Sequence, residues 1–297
     1  MDVEKIVDGA IELAVPISGE IVGEIVGGVL AGVPGIIAGK FVGTTLGFCL
    51  KIFAQEIKER VLSEREKKNI KNVLYSTVSE LSESDIKKKS NVEIDEDWLV
   101  RFFNIVKDVS SKDIQMIWAK ILTNQIKGKN KSSLRMLETL KNVDKEEAKI
   151  FEKIRPFIFY NKGVAFLPNN KKLLSRYDLQ YNDLLRLDEC GFINARGDLS
   201  LTFDVSNSIR NVKSIMNKDR LLGIVGMEEN IYHLQVSVYP LTTVGNSLFF
   251  MLNTNANLEY TEAFCHEIVD ENKGKVCVHL YDFTVKKGDL PLLKKYF

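Results

Sequence analysis

Nine of the chain's 19 glycines fall between Gly19 and Gly47, in a segment reading PISGEIVGEIVGGVLAGVPGIIAGKFVGTTLGFCLKIFA from Pro16 to Ala54. Gly19, Gly23 and Gly27 step by four, as do Gly28 and Gly32, and so do Gly35, Gly39, Gly43 and Gly47. Steps of four keep each series on one helix face with a slow drift. In water each such glycine costs a helix about 1 kcal/mol relative to alanine. The Val, Ile, Leu and Phe between them favour burial, so a helix here must be held by packing rather than propensity. Small residues one turn apart let backbones approach closely, as in helices that associate within a bilayer.

The pattern resembles glycine-zipper membrane segments. Pro34 marks a hinge, and the reading is a helical hairpin with arms near 17–33 and 35–54. The second arm is roughly 30 Å long as a helix, the thickness of the hydrocarbon core. Lys40, near one end, can extend toward headgroups. Glu20 and Glu24 are harder to place, since each carboxylate at bilayer depth costs about 2.5 kcal/mol or more. They fit if several chains pack through their glycines and turn these charges toward a wet lumen or an interface. A soluble hairpin packed protein against protein stays open as the alternative. Residues 2–15 place Val3, Ile6, Val7, Ala10, Ile11 and Ala14 on one face of an amphipathic helix.

Lys+Arg 41 against Asp+Glu 40 leaves a net charge of +1, which argues against a strongly basic nucleic-acid binder. Asp2 and Glu4 stand where an export signal would be positive. Cys49, Cys190, Cys265 and Cys277 are too scattered for a disulfide framework and suggest a reducing compartment. The expected organisation is α+β: a glycine-rich hairpin over 1–54, a helical domain over 55–155 and a small mixed winged-helix-like domain over 156–297.

From Lys51 to Glu83 the pattern is polar and helical, with Ile70, Val73, Leu74, Val78 and Leu81 on one face. Lys67, Lys68, Lys71 and the triplet Lys87-Lys88-Lys89 suit anionic headgroups, but interleaved Glu56, Glu59, Glu64 and Glu66 favour a solvated face. Asp95 opens a helix with Trp98, Leu99, Phe102, Phe103 and Val106 inward. A helix over about Lys112–Lys127 ends at Gly128, another covers Ser132–Asn142, and Asp144 with Glu147 forms a capping box for the next. The two tryptophans read as core rather than as a ligand cage, for want of convergent polar partners.

Asp95–Ile154 resembles an uncharacterised bacterial family, the domain of unknown function numbered 2806. The likeness is carried by Asp97-Trp98 with Phe102-Phe103, by Ile117-Trp118-Ala119-Lys120-Ile121-Leu122, by Ser133-Leu134-Arg135 with Leu137 and Leu140, and by Asp144, Glu147 and Ala148. It continues more weakly to about residue 285. It implies an intracellular bacterial or prophage-encoded protein and names no reaction and no catalytic residue. Similar glycine-rich chains occur among proteins suspected of phage defence.

Farther on, a hairpin is expected about Asn161-Lys162-Gly163, a helix over Asp178–Gly191, and a second hairpin turning at Arg196-Gly197-Asp198. Helix followed by wing resembles a winged-helix domain, but Asp178, Asp183, Asp188 and Glu189 against Arg186 make a poor surface for phosphates. Strands near 221–226 and 232–239, a Thr-capped helix after Pro240, a helix over 259–271 and the strand VCVHLYDF suggest a small mixed sheet. Cys277 and His279 share a strand face and Cys265 adjoins His266, without a CxxC or HxxxH spacing, so no metal site is assigned. No catalytic residue and no cofactor is expected, and the chain is read as a non-enzyme. The leading reading is a membrane-active interaction protein in the bacterial cytoplasm, associating with or inserted in the inner membrane, of the abortive-infection type. Its expected partners are its own copies, a lipid bilayer and a protein trigger. A soluble oligomeric scaffold is the alternative and a nucleic-acid regulator the third.

Overall fold

The structure, a computed structural model, describes residues 44–82, 84–85, 94–129, 131–197, 199–252, 254–282 and 292–297. The chain divides into two compact units, Met1–Asn142 and Val143–Phe297.

The described part of the first unit is helical: α1 Thr45–Glu59, α2 Glu64–Ser79, α3 Glu96–Val106, α4 Lys112–Lys127 and α5 Leu134–Lys141. Its boundaries follow from capping chemistry. Asp95 accepts from the Trp98 N–H to start α3, and Gly128, left-handed at φ 67°, takes α4's end carbonyls. The polar, helical stretch expected over Lys51–Glu83 comprises parts of two helices. Arg60 is extended, and Ser63 with Glu66 forms a capping box that begins α2 afresh. α1 packs on α3, α2 on α4, and α3 on α5. Phe53 meets Phe103 at 4.9 Å between centroids, Trp98 stacks on Phe102 at 5.2 Å, and Trp118 stands edge-on to Phe102 at 5.6 Å. Buried amides join the layers: Asn69 donates to the Lys107 carbonyl at 2.8 Å and Gln115 to that of Val109 at 2.7 Å.

The second unit contains α6 Lys145–Ile154, β1 Phe159–Asn161, β2 Val164–Pro168, α7 Lys171–Arg176, α8 Tyr181–Glu189, β3 Leu199–Val205, β4 Lys213–Asn217, β5 Arg220–Gly226, β6 Tyr232–Pro240, α9 Thr243–Met251, α10 Leu258–Glu271, β7 Val276–Asp282 and β8 Leu292–Tyr296. The small mixed sheet expected is instead eight strands in the order β3-β6-β2-β1-β4-β5-β7-β8, every pairing antiparallel. The first hairpin forms as read, with Lys162 at φ 45° and Gly163 at φ 87° supplying the primed turn. The second does not. β3 pairs along its whole length with β6, while Ile193 makes only an isolated bridge to Leu241, so these residues form no two-stranded wing. The helix expected from Asp178 begins at Tyr181, because Asp178 is left-handed at φ 54°.

Two glycines let the backbone close on itself. A Cβ on Gly226 would lie 2.6 Å from Ser206 Cα, where the end of β3 meets the end of β5, and one on Gly245 would lie 2.0 Å from the Phe192 carbonyl oxygen. Leu222, Ile224, Val278 and Leu280 form the deep face of the sheet's β5–β7 half, and α10 packs on β7.

Candidate functional site

Of the helix-packing glycines, Gly19, Gly23, Gly27, Gly28, Gly32, Gly35, Gly39 and Gly43 lie outside the described residues, as do Glu20, Glu24, Lys40 and Pro34. Gly47 is described. It occupies the first turn of α1, where its N–H donates to Thr44 Oγ1 at 3.1 Å. Thr44 is extended, with φ −97° and ψ 157°, so α1 starts there and no continuous helix runs from 35 to 54. Leu46, Cys49, Leu50, Ile52 and Phe53 are all buried in the described body. The second half of the expected membrane arm therefore packs into the core. Burial also pushes the Cys49 thiol up to about 12, leaving it protonated and unreactive.

Strand β7 aligns Cys277, His279 and Tyr281 on one face, the period-two alternation of a strand. Cys277 Sγ is 3.8 Å from His279 Nε2, and the Tyr281 hydroxyl is 3.3 Å from His279 Nδ1. Gly223 opposite His279 leaves room for the rings. Tyr281 was not singled out in the sequence; its signal was the same alternation that paired Cys277 with His279. Burial raises the cysteine, and burial followed by the charge of Lys295 lowers the histidine. Both therefore rest uncharged at neutral pH, without the thiolate that nucleophilic chemistry requires. Cys265 is buried in α10, and His266 turns edge-on to Tyr296 at 4.6 Å. Among the described residues no three His, Cys, Asp or Glu gather where a metal could be held.

The acids of the α8 region are matched by bases. Lys153 reaches Asp178 at 3.1 Å and Asp183 at 3.4 Å, and Arg196 meets Asp188 at 2.5 Å and Glu189 at 3.8 Å. Arg186 pairs with Asp144 at 3.8 Å. Hydrogen bonds from Gln180 and then Lys153 hold the Asp178 carboxyl below its ordinary range. This region is a solvated ion-pair network.

Two further features had no signal in the sequence. Lys218 lies 3.7 Å over the Phe249 ring and donates to the Phe249 carbonyl at 2.8 Å, so it caps the end of α9. Burial, then the charge of Arg155, lowers its ammonium to about 8. Between α10 and β6 lies a cleft of ≈ 80 Å³ bordered by Pro168, Asn170, Ser237, Glu267, Glu271 and Asn272. Asn170 donates to Glu267 at 3.0 Å and Glu271 at 3.5 Å. The cleft has room for a few waters rather than for an organic substrate.

A family model described as "Protein of unknown function (DUF2806)" matches residues 55–265. No curated protein and no solved structure matches the chain. The match covers well over half of the sequence, and the chain belongs to the DUF2806 family.

Proposed function

We propose that the chain is a membrane-active interaction protein, in which the glycine-rich stretch ahead of Thr44 meets a bilayer and packs against copies of itself while the folded body holds it or receives a trigger. The observation that supports this reading is the four-residue glycine spacing, which suits close helix association in lipid and is unfavourable for an isolated helix in water. The burial of α1 changes which residues are available. With 45–54 committed to the core, the apolar run next to the body is 25–43, with Pro34 near its middle, which suits a bent, re-entrant hairpin rather than a straight span. Glu20 and Glu24 then fall before the run rather than inside it. A cytoplasmic body acting at the inner membrane, impairing it as an abortive-infection effector, is the concrete form. In this reading the second unit is a protein-interaction scaffold, since the acids of α8 disfavour phosphates.

The described residues contain no helix long and apolar enough to cross a membrane. One observation favours a second reading, a soluble oligomeric scaffold: Gly47, last of the series, belongs to a helix whose apolar face is in protein rather than lipid.

Fractionation of cells expressing the full chain and a chain starting at Thr44 separates the two. The full chain is expected with membranes and the shortened one in the soluble fraction. A full chain that stays soluble, including during phage infection, overturns the membrane reading. Replacing Gly35, Gly39 and Gly43 with Leu, leaving Gly47 and α1 untouched, should abolish assembly and toxicity; unchanged assembly removes the packing role.

A further inference from the structure

Strand β7 carries a pair of ligating side chains to which the membrane reading gives no role. Cys277 and His279 share one face of the strand, and their Sγ and Nε2 atoms lie 3.8 Å apart. That separation suits a hydrogen bond in which sulfur and nitrogen share one proton. It is also close to what a metal ion needs. With bonds of about 2.3 Å to sulfur and about 2.0 Å to nitrogen, two ligands in line with the ion span about 4.3 Å. Small rotations of the two side chains cover the difference.

The surroundings suit ligation. The Tyr281 hydroxyl is 3.3 Å from His279 Nδ1. When that hydroxyl accepts from the Nδ1–H, the Nε2 lone pair is directed at the sulfur, the tautomer a metal-binding imidazole requires. Gly223 permits this placement: a Cβ there would press to 3.3 Å from the Tyr281 ring. Burial, then the charge of Lys295, lowers the His279 imidazole, so its lone pair is available at neutral pH. Cys277 is 5% exposed while His279 is only partly covered, so an ion reaches the pair from the histidine side.

We propose that Cys277 and His279 form a two-coordinate site for a soft monovalent metal ion, Cu(I), with Tyr281 as the positioning residue that orients the imidazole. The number of ligands and the local charge select this class. No third His, Cys, Asp or Glu joins the pair among the described residues, which leaves zinc short of the three or four protein ligands it takes. Thiolate sulfur favours Cu(I), and two ligands satisfy that ion. Lys295 stands opposite His279 across the β7–β8 pairing. As the Cu–S and Cu–N bonds form, the S–H bond breaks and its proton leaves to solvent. One positive charge thus replaces another, and copper stays monovalent throughout. A divalent ion would instead add a charge beside the Lys295 ammonium. The site is independent of the glycine-rich stretch.

Anaerobic competition for Cu(I) between the full-length protein and a chromophoric Cu(I) chelator tests the site. Wild type is expected to take up one equivalent of Cu(I) and to leave Zn(II) in solution at the same concentrations. Cys277→Ser and His279→Phe should each weaken Cu(I) binding about a hundredfold, and Tyr281→Phe about tenfold. Cys190→Ser is the control: it removes the cysteine that is not buried and should leave binding unchanged. Hydrogen exchange in β7 peptides reports whether the variants keep their fold. Where Cys277→Ser or His279→Phe loses that protection, Tyr281→Phe decides, since it deletes only a hydroxyl. No uptake against the chelator, uptake unchanged by Cys277→Ser, His279→Phe or Tyr281→Phe, loss on Cys190→Ser, or a preference for Zn(II) overturns the proposal. Each of these results leaves the membrane reading standing on its own fractionation test.

Discussion

Gly245→Ala sets local propensity against tertiary packing. Gly245 is in the first turn of α9, where helix propensity alone predicts that alanine stabilises by up to about 1 kcal/mol. The structure predicts the opposite. An alanine Cβ would stand 2.0 Å from the Phe192 carbonyl oxygen, where ordinary contact starts at 3.4 Å, so one backbone must move by more than 1 Å. The Thr242 N–H donates to that same carbonyl at 2.9 Å, and Thr242 Oγ1 both accepts from Gly245 and donates to the Gly191 carbonyl at 2.5 Å. Overpacking costs about 1–3 kcal/mol and a strained or lost hydrogen bond about 0.5–1.5 kcal/mol. After the propensity gain, a net destabilisation of about 1–3 kcal/mol is expected. Both tryptophans, Trp98 and Trp118, lie in the first unit, so their fluorescence is an internal reference. Hydrogen exchange in urea, followed in peptides from α9 and β2, should show the second unit opening at lower denaturant while the tryptophan transition stays in place. An unchanged or higher midpoint for those peptides would falsify the argument from close approach.

Asp144→Ala removes the capping box of α6 and should cost about 1 kcal/mol, read as earlier urea opening of peptides from 145–154. Trp118→Ala empties a site that is 1% exposed and should cost about 3–5 kcal/mol, followed through the remaining Trp98. Burial first, and then the charge of Glu267, raises Glu271 above its ordinary 4.5. The folded state thus holds more protons than the unfolded one just above that value, and stability falls as pH rises through the window. Glu271→Gln should therefore be at least as stable as wild type at pH 7, with the difference vanishing below about pH 4; a variant less stable at neutral pH contradicts that sign.

Local chemistry was legible in the sequence. Gly128 ends α4, the Asp144–Glu147 box starts α6, and Asn161-Lys162-Gly163 turns the first hairpin, because each is decided within a few residues by backbone donors and φ preferences. Ser63 and Glu66 were equally local, and their box divides the polar, helical run. The aromatic core around Trp98, Phe102 and Trp118 followed from helical spacing. Long-range pairing was not legible. β5 and β6 adjoin in sequence yet stand apart in the sheet, β3 finds β6 rather than residues 192–195, and β4 pairs with both β5 and β1. Alternation tells which face a strand buries, not which strand covers its edge. The same limit holds for α1, whose apolar residues fit a bilayer and a protein core equally well by composition. The sequence alone determined most of the helix caps and the four-residue glycine series; tertiary packing assigned residues 45–54 to protein and set the strand order of the sheet, because burial and strand pairing depend on residues brought together from distant parts of the chain.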